Sequence, residues 1–134
     1  MLFTGITLKD MCLIAKEHGL VPIPVDFDFD THEPIQEQIE AAISEKTVAM
    51  IFVYLGGVTY DIAPYAEFFK SRNIDLIEDC AQSFKSVESF LGSPHATMTM
   101  FSFGFIKFNT AFYGAATVIR EQNNVASMPK SAGL

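Results

Sequence analysis

The chain has 134 residues, 49% of them hydrophobic, which is the size of one domain with one core. Nine basic against 16 acidic side chains give a formal charge of -7, with the acids dispersed along the chain, and this argues against nucleic acid and anionic membrane as partners. Cys12 and Cys80, 68 positions apart, suggest neither a disulfide framework nor a zinc site, and no stretch resembles a signal peptide or a membrane span, so a soluble protein of a reducing, cytoplasmic compartment is expected.

In chain order, Thr7 with Asp10 three residues later resembles a helix start, and Leu8, Met11, Cys12 and Ala15 repeat at helical spacing until Gly19. LVPIPVDF has the apolar, β-branched character of a strand, but Pro22 and Pro24 cannot donate ladder hydrogen bonds, which predicts an edge position or a bulged end. Pro34 opens a second helix through IQEQIEAAI. The continuous apolar run Thr47 to Tyr54 predicts a strand covered on both faces, ended by Gly56 and Gly57. Asp61 and Pro64 predict a helix through PYAEFFKSR, and IDLIED predicts another buried strand finishing on two acids, Glu78 and Asp79. A strand from Thr97 to Ser102 precedes a loop carrying Lys107, and GAATVIR supplies one more before a polar tail from Glu121 onward.

Strands alternating with helices predict an α/β fold, a mostly parallel sheet flanked by helices. Right-handed crossovers then bring the strand ends carrying Asp79 and Ser102 to one rim, where such sheets bind ligands. A strand-end acid also serves to cap a following helix, so Asp79 alone decides nothing. A receiver-like module shares the βα order and an acidic pair, but would carry that pair after its first strand and its lysine after its last.

The segment EDCAQS followed by Gly92 and Ser93, then MFSFGFIK and a small-residue strand, resembles the DegT/DnrJ/StrS family of sugar aminotransferases, which are fold-type I pyridoxal-phosphate enzymes. The similarity runs from about Gly19 to Arg120, and includes GLVPIPVDFD and AMIFVYLGG upstream. The resemblance implies that Lys107 condenses with the aldehyde of pyridoxal 5'-phosphate and serves as acid and base. It implies that Asp79 faces the pyridine nitrogen and favours the protonated ring, a better electron sink. By the same resemblance Gln82 meets the ring hydroxyl region and Ser102 the phosphate. The dehydratase-like relatives carry histidine in place of this lysine, so Lys107 favours transamination.

The resemblance further implies an amino donor, glutamate, a nucleotide-linked keto-sugar as substrate, and a homodimer with sites at the subunit interface. Residues 1–120 are expected to form an incomplete cofactor-binding large domain and 121–134 a polar tail, because the family's upstream phosphate loop, its ring-stacking aromatic and its small domain have no counterpart in this sequence. An alternative is an inactive remnant acting through protein–protein interaction. Departures from the family pattern fall at Lys85 and Ser86, where a small pair is usual, and at Phe108, Phe112 and Tyr113, which are expected to crowd the pocket mouth. Phe101, Phe103, Phe105, Phe108 and Phe112 suit either the core or a dimer surface, with the core expected for the alternating members. Cys80 is expected to be a packing residue, His18, His32 and His95 surface histidines, and Asn109 and Thr110 solvated loop residues.

Overall fold

The computed structural model describes residues 1–84, 86, 91–107 and 110–120. Lys85, Phe108, Asn109 and the tail from residue 121, about which the sequence raised expectations, lie outside them. In chain order the elements are β1 (Leu2–Thr4), α1 (Lys9–Glu17), β2 (Ile23–Val25), α2 (Gln36–Ala42), β3 (Ala49–Val53), a 3-10 turn (Leu55–Gly57), α3 (Ala63–Lys70), β4 (Asp75–Asp79), β5 (Met98–Ser102) and β6 (Ala115–Ile119). The six strands form one sheet in the order β2-β1-β3-β4-β5-β6, parallel except for the antiparallel pairing of β6 with β5.

The position of each strand follows from its residues. β3 is apolar throughout and lies inside the sheet between β1 and β4. Its side chains alternate between two cores: Met50 and Phe52 pack with Ile39 of α2 and with Tyr65 and Phe69 of α3, whereas Ile51 and Val53 pack with Met11 and Ala15 of α1. Around β3 the sheet is therefore covered on both faces, whereas all five residues of β6 are exposed. Each large apolar side chain sealed in these layers contributes about 1.5–3 kcal/mol. Pro24 sits in the edge strand β2, where a missing N–H costs no interior ladder bond. β1, with all three residues buried, is a strand that the sequence did not reveal, because three residues are too few for a period to register.

The first helix corrects one expectation. Thr7 does not cap α1: the N-cap is Leu8, without a side-chain bond, and the Thr7 hydroxyl is buried without a hydrogen-bond partner among the described residues. Its C-terminus is as expected, since Gly19 adopts a φ of 73° while Gly19 N–H donates to the Lys16 carbonyl and Leu20 N–H to that of Ala15, a Schellman closure. At α3, Asp61 Oδ1 accepts from Ala63 N–H at 2.8 Å and Pro64 stands in the first turn.

The aromatic run divides. Phe101 is core and Phe103 packs against it, but Phe105 and Phe112 are exposed and meet each other at 5.6 Å, with Tyr113 4.9 Å from Phe105. The core expectation for the alternating members therefore fails at Phe105, which lies in a loop where no opposing layer of the described residues covers it.

Candidate active site

Parallel pairing brings Asp79 opposite Val53 of β3 and Met100 of β5, so the chain leaves β3, β4 and β5 at one rim. Beyond Ser102 the backbone turns back, with Lys107 N–H donating to the Gly104 carbonyl at 3.0 Å. Two adjoining cavities lie at this rim. The larger, about 360 Å³, is lined by Gly56, Ala81, Gln82, Phe84, Ser102 and Lys107 among others. The smaller, about 90 Å³, includes Thr7, Leu8, Tyr54, Asp79, Gln82 and Lys107 in its wall. Gln82 and Lys107 border both, and the four residues singled out from the sequence thus meet at one place. The larger volume is at the lower end of the range for small-molecule sites, about 300–1,000 Å³.

Asp79 is buried, and its Oδ1 accepts from Ala81 N–H at 3.0 Å, which shapes the turn after β4. Its Oδ2 has no partner among the described residues and remains available as an acceptor. Gln82 is oriented from the other side, where its Oε1 accepts from Gly56 N–H at 2.7 Å and leaves the amide NH2 as the donor. Gly57 explains why a glycine pair follows β3: with φ at 81°, a Cβ there would lie 2.8 Å from the Gln82 carbonyl oxygen. The turns after β3 and β4 can pack together only without that carbon. Ser102, half-buried at the end of β5, shares the larger cavity with Lys107.

Glu78, one residue before Asp79, points to the opposite face and is fully buried. It accepts from Tyr54 OH at 2.6 Å, Thr99 Oγ1 at 2.7 Å and Ser93 N–H at 2.8 Å. Arg120 donates to Thr99 Oγ1 at 2.9 Å and to the Leu91 carbonyl at 3.2 Å, which ties β6 into the same network. Gly92 makes this possible, since its φ is 90° and a Cβ would come within 2.7 Å of Glu78 Oε2. The Gly92–Ser93 pair therefore serves the buried acid. Burial, and then Glu78 itself, push the Tyr54 hydroxyl far above its ordinary range, so it stays a donor. Burial pushes the Cys80 thiol up to about 12, consistent with a packing residue.

Sequence reasoning did not assign Thr7, Leu8 or Gly56 to the site. Phe112 and Tyr113, expected at the pocket mouth, line neither cavity. His18 and His95 are exposed and His32 is half-buried, its ring 6.2 Å from that of Phe27. Thr110 is exposed and bonds within its own loop, accepting from Phe112 N–H at 3.1 Å. Among the described residues no group of His, Cys, Asp or Glu side chains is arranged to hold a metal ion, and no helix is long and apolar enough to cross a membrane.

Comparison with known proteins yields a match to the DegT/DnrJ/EryC1/StrS aminotransferase family over residues 10–130. GDP-perosamine synthase of Escherichia coli O157:H7 is 36% identical over 103 residues, 77% of this chain and 26% of that protein. The chain thus spans about a quarter of the length of this relative. Among solved structures, the putative sugar aminotransferase Spr1654 from Streptococcus pneumoniae, in its PLP form, superposes with a TM-score of 0.71 at 26% identity, covering 91% of this chain and 35% of that one. DesI, solved in the presence of its TDP-sugar product, superposes with a TM-score of 0.76 at 25% identity, covering 88% of this chain and 30% of that one.

Proposed function

The chain belongs to the DegT/DnrJ/EryC1/StrS aminotransferase family, and we propose that it carries part of the site of a pyridoxal-phosphate-dependent enzyme that moves an amino group from glutamate to a nucleotide-linked keto-sugar. The observation that carries this reading is the convergence of Lys107, Asp79, Gln82 and Ser102 on adjoining cavities at the rim of a parallel sheet. The names of the relatives, a GDP-perosamine synthase and an enzyme crystallised with a TDP-sugar product, support the substrate class.

The residues present fit the cofactor. A buried carboxylate with one unpartnered oxygen, an amide held with its NH2 free, a hydroxyl and an amine are the set needed to meet a ring nitrogen, a ring oxygen, a phosphate and an aldehyde. When bound, the cofactor would supply an aldehyde for an amine and a ring that withdraws electrons from the reacting carbon. Asp79, buried at the rim, would hold a proton on the ring nitrogen of the bound cofactor by charge attraction. Gln82 donates from Nε2 because Gly56 occupies its Oε1. Ser102 would donate to the phosphate. Lys107 Nζ would anchor the group and would carry the proton at the substrate carbon. The reaction belongs in the cytoplasm, and exposed Phe105, Ile106, Phe112 and Tyr113 suit the face of a homodimer partner.

Incubation with pyridoxal phosphate, borohydride reduction and peptide mapping tests the reading, with Lys107→Ala as control. A pyridoxyl mark confined to Lys107 is expected. Marks spread equally over Lys70, Lys85 and Lys130, or no mark, would count against it. The same exposed aromatic loop favours a second reading, a catalytically inactive relative acting through protein–protein contact, which such a result would support.

A further inference from the structure

Thr7 has no task in the fold as it stands. Its hydroxyl is sealed from water without a hydrogen-bond partner among the described residues, and it does not cap α1, whose N-cap is Leu8. Buried hydroxyls in folded proteins are nearly always paired, because an unpaired one loses its bonds to water for nothing. The residue nevertheless lines the small cavity together with Asp79, Gln82 and Lys107. A change of χ1 to another staggered position moves the hydroxyl to where the methyl group or hydrogen on Cβ now stands.

We propose that Thr7 is a cofactor-contacting residue, whose hydroxyl takes its missing hydrogen bond from a polar atom of the ligand held between Asp79 and Lys107. The inference rests on the pyridoxal-phosphate reading above. It makes two opposite demands on one substitution. Thr7→Val keeps the shape and removes the hydroxyl, so the ligand-free protein should be as stable or more stable, while the complex should be weaker.

The test uses the full chain, titrated with pyridoxal phosphate by absorbance, and its ligand-free thermal midpoint. Thr7→Val should leave the midpoint equal or raised and increase the dissociation constant roughly three- to tenfold, the range for one neutral hydrogen bond. Thr7→Ser, which retains the hydroxyl, should bind nearly as the unaltered chain does. A lowered ligand-free midpoint for Thr7→Val would mean that the hydroxyl already has a partner, and the inference falls. Unchanged affinity in Thr7→Val, with the pyridoxyl mark on Lys107 still lost in Lys107→Ala, would sink the inference and leave the functional reading standing. An unaltered chain that takes up no pyridoxal phosphate would remove both.

Discussion

Replacing Tyr54 by Phe should destabilise the protein by about 2 kcal/mol, because it deletes the hydrogen bond that satisfies a fully buried acid. Tyr54 OH lies 2.6 Å from Glu78 Oε1 and is the partner of that oxygen among the described residues, whereas Oε2 has both Ser93 N–H and Thr99 Oγ1. Phenylalanine keeps the ring and its edge contact with Tyr60, 4.9 Å between centroids, so no large cavity opens. The loss is therefore one hydrogen bond to a carboxylate plus the cost of stranding its oxygen, roughly 1.5–3 kcal/mol. At about 4 °C per kcal/mol for a chain of this size, the thermal midpoint should fall by about 8 °C. Urea unfolding followed by circular dichroism measures the free energy directly. Glu78→Gln and the double variant complete a cycle in which the two changes should be coupled by about 1 kcal/mol or more. A Tyr54→Phe variant within about 0.5 kcal/mol of the unaltered chain would refute the idea that this hydroxyl holds the buried acid.

Asp79→Asn keeps the acceptor to Ala81 N–H but removes the charge, so pyridoxal phosphate should bind about 10- to 100-fold more weakly by absorbance titration; equal affinity would deny Asp79 its role. Gly57→Ala forces a Cβ to 2.8 Å from the Gln82 carbonyl at a φ of 81° and should cost about 1–3 kcal/mol in urea unfolding, and a negligible cost would mean that the two turns do not pack as described. Native-state alkylation with iodoacetamide should mark half-buried Cys12 and spare Cys80, with both reacting after denaturation; early labelling of Cys80 would contradict its burial. Stability should also fall in alkali. The Cys80 thiol is raised from 9.0 to about 12 in the folded state, so the unfolded chain loses its proton first, and the stabilisation, complete below about pH 9, declines up to about pH 12 with a limiting slope of about 1.4 kcal/mol per pH unit. Tyr54, Tyr60 and Tyr65, also raised by burial, add to the decline above their ordinary value of 10.0, and a flat profile over this window would exclude the effect.

The local sequence determined those elements whose signal is contained in a few adjacent residues. β3 and β4 were legible as apolar runs, β2 as an edge strand through its prolines, and the ends of α1 and β3 through glycines that adopt positive φ. Asp79, Gln82, Ser102 and Lys107 were legible through the resemblance of two short motifs to the aminotransferase family, and the structure brings all four to one rim. What the sequence alone left undecided depends on segments that meet only after the chain has folded. β1 becomes a strand by pairing with β2 and β3, and a three-residue segment has no period of its own to announce it. Adjacent Glu78 and Asp79 look alike in the sequence, yet the alternation of side chains along β4 sends one to the interior and the other to the cavity. Gly56, Thr7 and Leu8 come to Gln82, Asp79 and Lys107 from remote parts of the chain, and only the parallel sheet, which brings the ends of β1, β3, β4 and β5 to the same edge, makes them neighbours.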